Sequence, residues 1–193
     1  LPQKAERELD GSHLLCYPGL INTHHHLYQQ FSRNLPQVQN MELFDWLKTL
    51  YEIWKNLDET VVRYSSLMGE LMKNGCTTCF DHHYVFPANG GDLISAQFEA
   101  AETLGMRMYA SRGSMDLSVK DGGLPPDSVV QSVDEILRDS IRLIEKYHDP
   151  SFGSMRCVAL APCSPFSVSA ELLKQSALLA RQYHVRLHTH LCE

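Results

Sequence analysis

No apolar run in this 193-residue sequence approaches the roughly 20 residues of a membrane-spanning helix, so no such helix is expected within it. Lysine and arginine form no cluster, and the formal charge of −6 is mild and spread along the chain, so neither nucleic acid nor a membrane surface is expected as a partner. A small-molecule partner fits better. The opening Leu1-Pro2-Gln3-Lys4-Ala5-Glu6 lacks a secretory pattern, and a cytoplasmic protein is expected. Internal repeats and low-complexity stretches are missing too. What is present is ordinary globular composition, 44% hydrophobic and 21% charged, at a length that suits one domain or most of a larger one.

Cysteine is not scarce, but its placement argues against a disulfide framework. Cys16, Cys76, Cys79, Cys157, Cys163 and Cys192 sit mostly in apolar, strand-like segments, where buried free thiols are expected. Cys76-Thr77-Thr78-Cys79 has the spacing of a zinc knuckle or redox pair. On a strand, an offset of three sends the sulfurs to opposite faces, and no second Cys/His pair stands at zinc-finger distance, so no structural metal is expected there.

Strand-like and helix-like segments alternate. Strands are expected at Leu14–Thr23 (bent at Pro18-Gly19), Cys76–Asp81, Arg107–Ser111, Arg156–Ala161 and Val185–His190. Between them, helices are expected at Glu42–Trp54, with Leu43, Phe44, Trp46, Leu47 and Leu50 on the apolar side, and at Glu59–Lys73, capped by Asp58 and stopped by Gly75. Further helices are expected at Leu93–Leu104, Ser128–Tyr147 and Val168–Tyr183. Strands separated by helices imply βαβ units and a parallel sheet, either doubly wound or the first five strands of a (β/α)8 TIM-type barrel. The barrel is favoured because His24 to His26, Asp81 to His83, Arg112, Cys163-Ser164 and His190 to Glu193 all fall at strand C-terminal ends, the face on which barrels build their sites. Open sheets bind ligands there as well.

Pro18-Gly19-Leu20-Ile21-Asn22-Thr23-His24-His25-His26 stops at three consecutive imidazoles. Strand alternation puts His24 and His26 on one face and His25 on the other, half of a site for a transition metal. His188-Thr189-His190-Leu191-Cys192-Glu193 supplies the other half. His188 and His190 share a face, and His190 lies nearer the strand's C-terminal end. Glu193 falls just beyond it, within reach of a water on the metal. A metal acidifies water toward about pH 7, and an adjacent carboxylate can relay its proton, so these parts suit a hydrolase.

These segments, with Gly75-Cys76-Thr77-Thr78 between them, resemble the amidohydrolase superfamily over about Leu14 to Glu193, and within it the chlorohydrolase-like aminohydrolases, or deaminases. The resemblance implies His24, His26 and His190 as ligands of one divalent metal ion, zinc before iron, and Glu193 as proton shuttle. It implies hydrolytic release of ammonia from a ring amine. Likeness at His24 to Gln29, Leu43 to Leu47, Asp81 to Tyr84, Arg112 to Met115, Asp121 to Pro126 and Ala161 to Phe166 points to an oxidised purine, 8-oxoguanine giving urate, with hydroxytriazine, guanine or isoxanthopterin as alternatives. It places Gln29 at a position where an amide reads the purine, an amide offering both donor and acceptors to a lactam edge. Related deaminases carry a substrate-contacting His where this chain has Cys163, which moves specificity away from adenosine-like rings. Arg112 could hold a ring carbonyl, His83 or His82 could line the pocket, and Trp46 is expected to be a packing residue. Residues 1–13 are expected to end a preceding small β segment or linker and residues 14–193 to form the N-terminal part of the barrel, in a homo-oligomer. A sixth-strand His and an eighth-strand Asp implied by the family would follow Glu193, so a longer protein is expected. The contrasting expectation is a truncated, non-catalytic barrel segment.

Overall fold

The computed structural model describes residues 5–67 and 69–192. Among them, parallel strands β1 (Leu20–His25), β2 (Cys76–Asp81), β3 (Arg107–Ser114), β4 (Arg156–Pro162) and β5 (Arg186–Leu187) pair in the order β1-β2-β3-β4-β5. Helices α1 (Leu43–Trp54), α2 (Glu59–Ser66) and α3 (Glu70–Lys73) join β1 to β2. Helices α4 (Leu93–Leu104), α5 (Val133–Tyr147) and α6 (Ala170–Gln182) fill the later crossovers. An order that never reverses is the winding of a barrel and not of a doubly wound sheet.

Curvature settles the same point by distance. A flat sheet would hold β1 and β5 about 19 Å apart, four spacings of roughly 4.8 Å. Instead His24 Nδ1, on β1, lies 2.9 Å from Nε2 of His188, just past β5. The Phe80 ring of β2 lies 4.6 Å from the His188 ring. Thr78, Phe80 and His82 therefore line the concave face, while Cys79, Asp81 and His83 alternate toward the helices. The chain forms the first five strands of a (β/α)8-type barrel, the architecture favoured by its polar residues at strand C-terminal ends.

The core between sheet and helices is closed by Leu50, Trp54, Leu93, Ile94, Leu143 and Leu172, each almost fully buried. A side chain of this kind contributes about 1.5–3 kcal/mol. Gly105 ends α4 at φ +68°, a left-handed turn that feeds Arg107 directly into β3. At the other end of β3, a Cβ on Gly113 would stand 2.1 Å from the carbonyl oxygen of His83, so only glycine lets the loop after β2 lie against β3.

Several boundaries differ from the sequence expectation. β1 begins at Leu20 and not Leu14, because pairing with β2 begins at Leu20 opposite Cys76, and Leu14, Leu15 and Tyr17 are exposed. The segment Glu59–Lys73 is two helices, with Asp58 capping the first through Val61 N–H at 2.8 Å. α5 starts five residues later than Ser128, because Ser132 and Glu135 form a capping box there, worth about 1 kcal/mol, after a turn at Asp127–Val129. Regular strand geometry in β5 ends at Leu187, yet His188 N–H to Leu160 O and His190 N–H to Cys163 O, both 2.9 Å, carry the chain alongside β4 as far as His190. On α1, Leu43 and Phe44 are exposed and Tyr51 and Trp54 take the buried face, with Trp46 half-buried against Trp54. The cysteines are free; Cys76, Cys79, Cys157 and Cys163 are buried, whereas Cys16 and Cys192 are exposed. No helix among the described residues is long and apolar enough to cross a membrane.

Candidate metal centre

The C-terminal ends of β1 and β5 bring three imidazole nitrogens to one point. His24 Nε2 and His26 Nε2 are 3.2 Å apart, and His190 Nε2 lies 3.3 Å from each. Such a triangle has the edge of a tetrahedron whose centre lies about 2.0 Å from each corner, the usual zinc–nitrogen distance. His82, at the end of β2, is the fourth wall: its ring stacks on that of His190 at 4.3 Å and joins a group whose ligand atoms all lie within 4.8 Å of one another.

Hydrogen bonding decides where the protons sit. His26 Nδ1 lies 2.6 Å from the carbonyl oxygen of His82, and His190 Nδ1 lies 2.9 Å from that of Cys163. A carbonyl only accepts, so both rings carry the proton on Nδ1 and turn an Nε2 lone pair toward the other. Lone pairs facing each other repel unless a positive charge lies between them. A divalent cation fits this donor set, and a backbone carbonyl behind the ligating ring is the usual outer support of a metal-bound imidazole. Burial is the main force holding His26 neutral, pushing it down to about 3 despite its bond to the His82 carbonyl. Burial also lowers His24, His190 and His82.

The loop after β1 is tied in place from β2. Asp81 is fully buried, and its carboxylate accepts from Leu27 N–H at 2.6 Å and from the Gln97 amide of α4. The backbone bond from His82 N–H to His25 O at 2.7 Å completes the clamp. Nothing in the pattern Cys76–Asp81 marked Asp81 for this role; only its partner Leu27, 54 residues earlier, gives it meaning.

The other sequence candidates are dispersed. Cys163 is buried beside the cluster, its Sγ 3.8 Å from His190 Nδ1. Gln29 is half-buried in the turn after His26, its N–H bonded to His26 O at 3.0 Å and its side chain against the Tyr28 hydroxyl. His25 faces away, toward Gln30 at 3.3 Å. Two expectations are corrected. His83 is turned to the helix layer, where its Nε2 bonds Val85 O at 2.9 Å and its Nδ1 approaches Gln97; its neighbour His82 takes the concave side. Arg112 also points outward, its Nε 2.6 Å from Asp139 on α5, a terminal nitrogen 2.7 Å from Gln131, and its guanidinium 3.8 Å above the Phe86 ring. A side chain committed to those partners holds α5 on β3 and cannot reach a ring on the opposite face. Tyr84, absent from the sequence candidates, stands over the site with its ring 5.2 Å from that of His26. Glu193 lies outside the described residues.

A five-strand barrel segment with converging imidazoles at its C-terminal rim is the architecture of a metal-dependent hydrolase. The family model of the amidohydrolase family matches residues 15–193, and the chain belongs to that family. It is 47% identical to 8-oxoguanine deaminase of Pseudomonas aeruginosa, over 99% of this chain and 43% of that protein. It is 43% identical to hydroxydechloroatrazine ethylaminohydrolase of Pseudomonas sp. (strain ADP), over 93% of this chain and 38% of that protein. Among solved structures, atrazine chlorohydrolase from Arthrobacter aurescens TC1 complexed with zinc superposes with a TM-score of 0.85 at 35% identity, covering 90% of this chain and 40% of that one. The chain thus spans about two fifths of the length of the relatives it matches.

Proposed function

We propose that this chain is the N-terminal part, residues 14–193, of the barrel of a metal-dependent hydrolytic deaminase that releases ammonia from an oxidised purine, 8-oxoguanine giving urate. The observation that carries the reading is the triangle of Nε2 atoms 3.2–3.3 Å apart, two of them proton-free because backbone carbonyls hold the opposite ring nitrogens. His24, His26 and His190 would hold one divalent ion, zinc in preference to iron. Bound there, such an ion would acidify water toward neutral pH and so supply the nucleophile.

The remaining chemistry falls to the chain's own residues. Glu193, three residues beyond His190, takes one proton of the attacking water and gives it to a ring nitrogen; the second water proton, still on the new carbinol oxygen, passes to the amine, which departs as ammonia as the carbonyl forms. Gln29 presents an amide to the lactam edge, and Cys163, its Sγ 3.8 Å from His190 Nδ1, stands where related deaminases carry a substrate-contacting imidazole. The 47% identity to an 8-oxoguanine deaminase supports the purine, and the 43% identity to a hydroxytriazine aminohydrolase keeps that ring as the second reading. The test is ammonia release by the full-length protein from 8-oxoguanine, guanine, isoxanthopterin and N-alkylated hydroxytriazines. Turnover is expected to be fastest on 8-oxoguanine; activity confined to the triazines overturns the purine assignment. A full-length protein that binds no metal and releases no ammonia from any of them overturns the deaminase reading.

A further inference from the structure

His26 and His190 have their tautomers dictated by carbonyl oxygens, which only accept. His24 does not share that arrangement. Its Nδ1 faces another imidazole, the Nε2 of His188 at 2.9 Å. An imidazole nitrogen either donates or accepts, so two proton arrangements are open to this pair. If His188 donates, His24 carries its proton on Nε2, which then points into the triangle and blocks ligation. If His188 accepts, the proton of His24 sits on Nδ1 and its Nε2 lone pair completes the set of three.

We propose that His188 is a positioning residue for the metal centre, accepting the Nδ1–H of His24 and so fixing the tautomer that turns His24 Nε2 toward the metal. This rests on reading the triangle as a metal site. Three observations support it. His188 does not belong to the group of ligand atoms lying within 4.8 Å of one another, which comprises His24, His26, His82 and His190, so it stands behind the centre and is not a fourth ligand. Its ring is held by neighbours independent of His24, packed against Phe80 at 4.6 Å and carried on a backbone N–H bonded to Leu160 O at 2.9 Å. And the bond joins the opposite edges of the five-stranded sheet, β1 to the segment after β5, so the acceptor exists only when the barrel has curled. Outer partners of this kind typically change metal affinity 10–100-fold when removed.

For His188 to accept, its own proton must sit on Nδ1, the less common form of a neutral imidazole. A long-range proton–nitrogen spectrum of the full-length, zinc-loaded protein should therefore show His188 protonated at Nδ1 and His24 protonated at Nδ1. A His188 protonated at Nε2 overturns the proposal whatever the variants do. In parallel, zinc affinity measured by chelator competition should fall about 10–100-fold in His188→Leu and stay within a few-fold of wild type in His188→Gln, whose amide oxygen accepts in place of Nε2. The visible spectrum of the cobalt-substituted protein should change in the leucine variant alone. Wild-type zinc affinity in His188→Leu overturns the positioning role while leaving the metal centre intact. A wild-type protein that takes up no zinc overturns both.

Discussion

His26 and His190 stand 164 residues apart in the chain and 3.3 Å apart at Nε2, each backed by a carbonyl oxygen on the far side of its ring. A pair so arranged has little purpose without a cation. Replacing either by alanine should lower zinc affinity more than about 100-fold, beyond the 10–100-fold effect of losing only an outer partner. Metal analysis of the purified full-length variants reads this directly, and one retaining a full equivalent of zinc would remove that residue from the ligand set.

Glu193→Gln should keep the metal and lose turnover. The loss expected of a proton-transfer group is about 10²–10⁴-fold in kcat. A variant with wild-type kcat and normal metal content would assign the shuttle to another group.

Arg112→Met separates a structural role from a substrate role. Asp139 loses its buried partner but keeps Arg142 at 2.7 Å, so the expected destabilisation is about 2–3 kcal/mol, less than the 3–5 kcal/mol of a fully buried pair. Urea unfolding measures that loss, while KM of the folded fraction should stay at the wild-type value. A large rise in KM without loss of stability would return Arg112 to the substrate site.

His83 makes the fold sensitive to acid. Burial holds it neutral and pushes it down to about 3 from 6.5, so the folded state resists a proton that the unfolded chain takes up. Its contribution is complete above about pH 6.5 and is lost as pH falls from there toward 3, at up to about 1.4 kcal/mol per pH unit. His83→Leu should be less stable at pH 7, having lost the bond to Val85 O, yet show a shallower decline between pH 6.5 and 5. Identical slopes for the two proteins would exclude His83 as the source.

Arg112 and the pair His82 and His83 show where sequence reasoning stops. In a water-facing strand, alternation of polar and apolar residues would say which side each takes. At the C-terminal ends of β2 and β3 both faces are buried, one against helices and one in the mouth of the barrel, so Asp81 and His83 are as buried as His82, and Arg112 as Ser111. Without a solvent face, parity can be counted but not anchored. On β1 no anchor is needed, because the run His24-His25-His26 carries two imidazoles at one parity, and either choice of face keeps them together.

By itself, the sequence determined the alternation of strands and helices, the cap at Asp58, and the grouping of His24 with His26, all of which depend on neighbours within a few residues. Only the tertiary structure decided how close the curl of the sheet brings His190 to the two from the opposite edge, that Asp81 ties down Leu27, and that His188 sits behind His24. Those relations span 54 to 166 residues, and they come from the twist and closure of parallel strands, which no local pattern encodes.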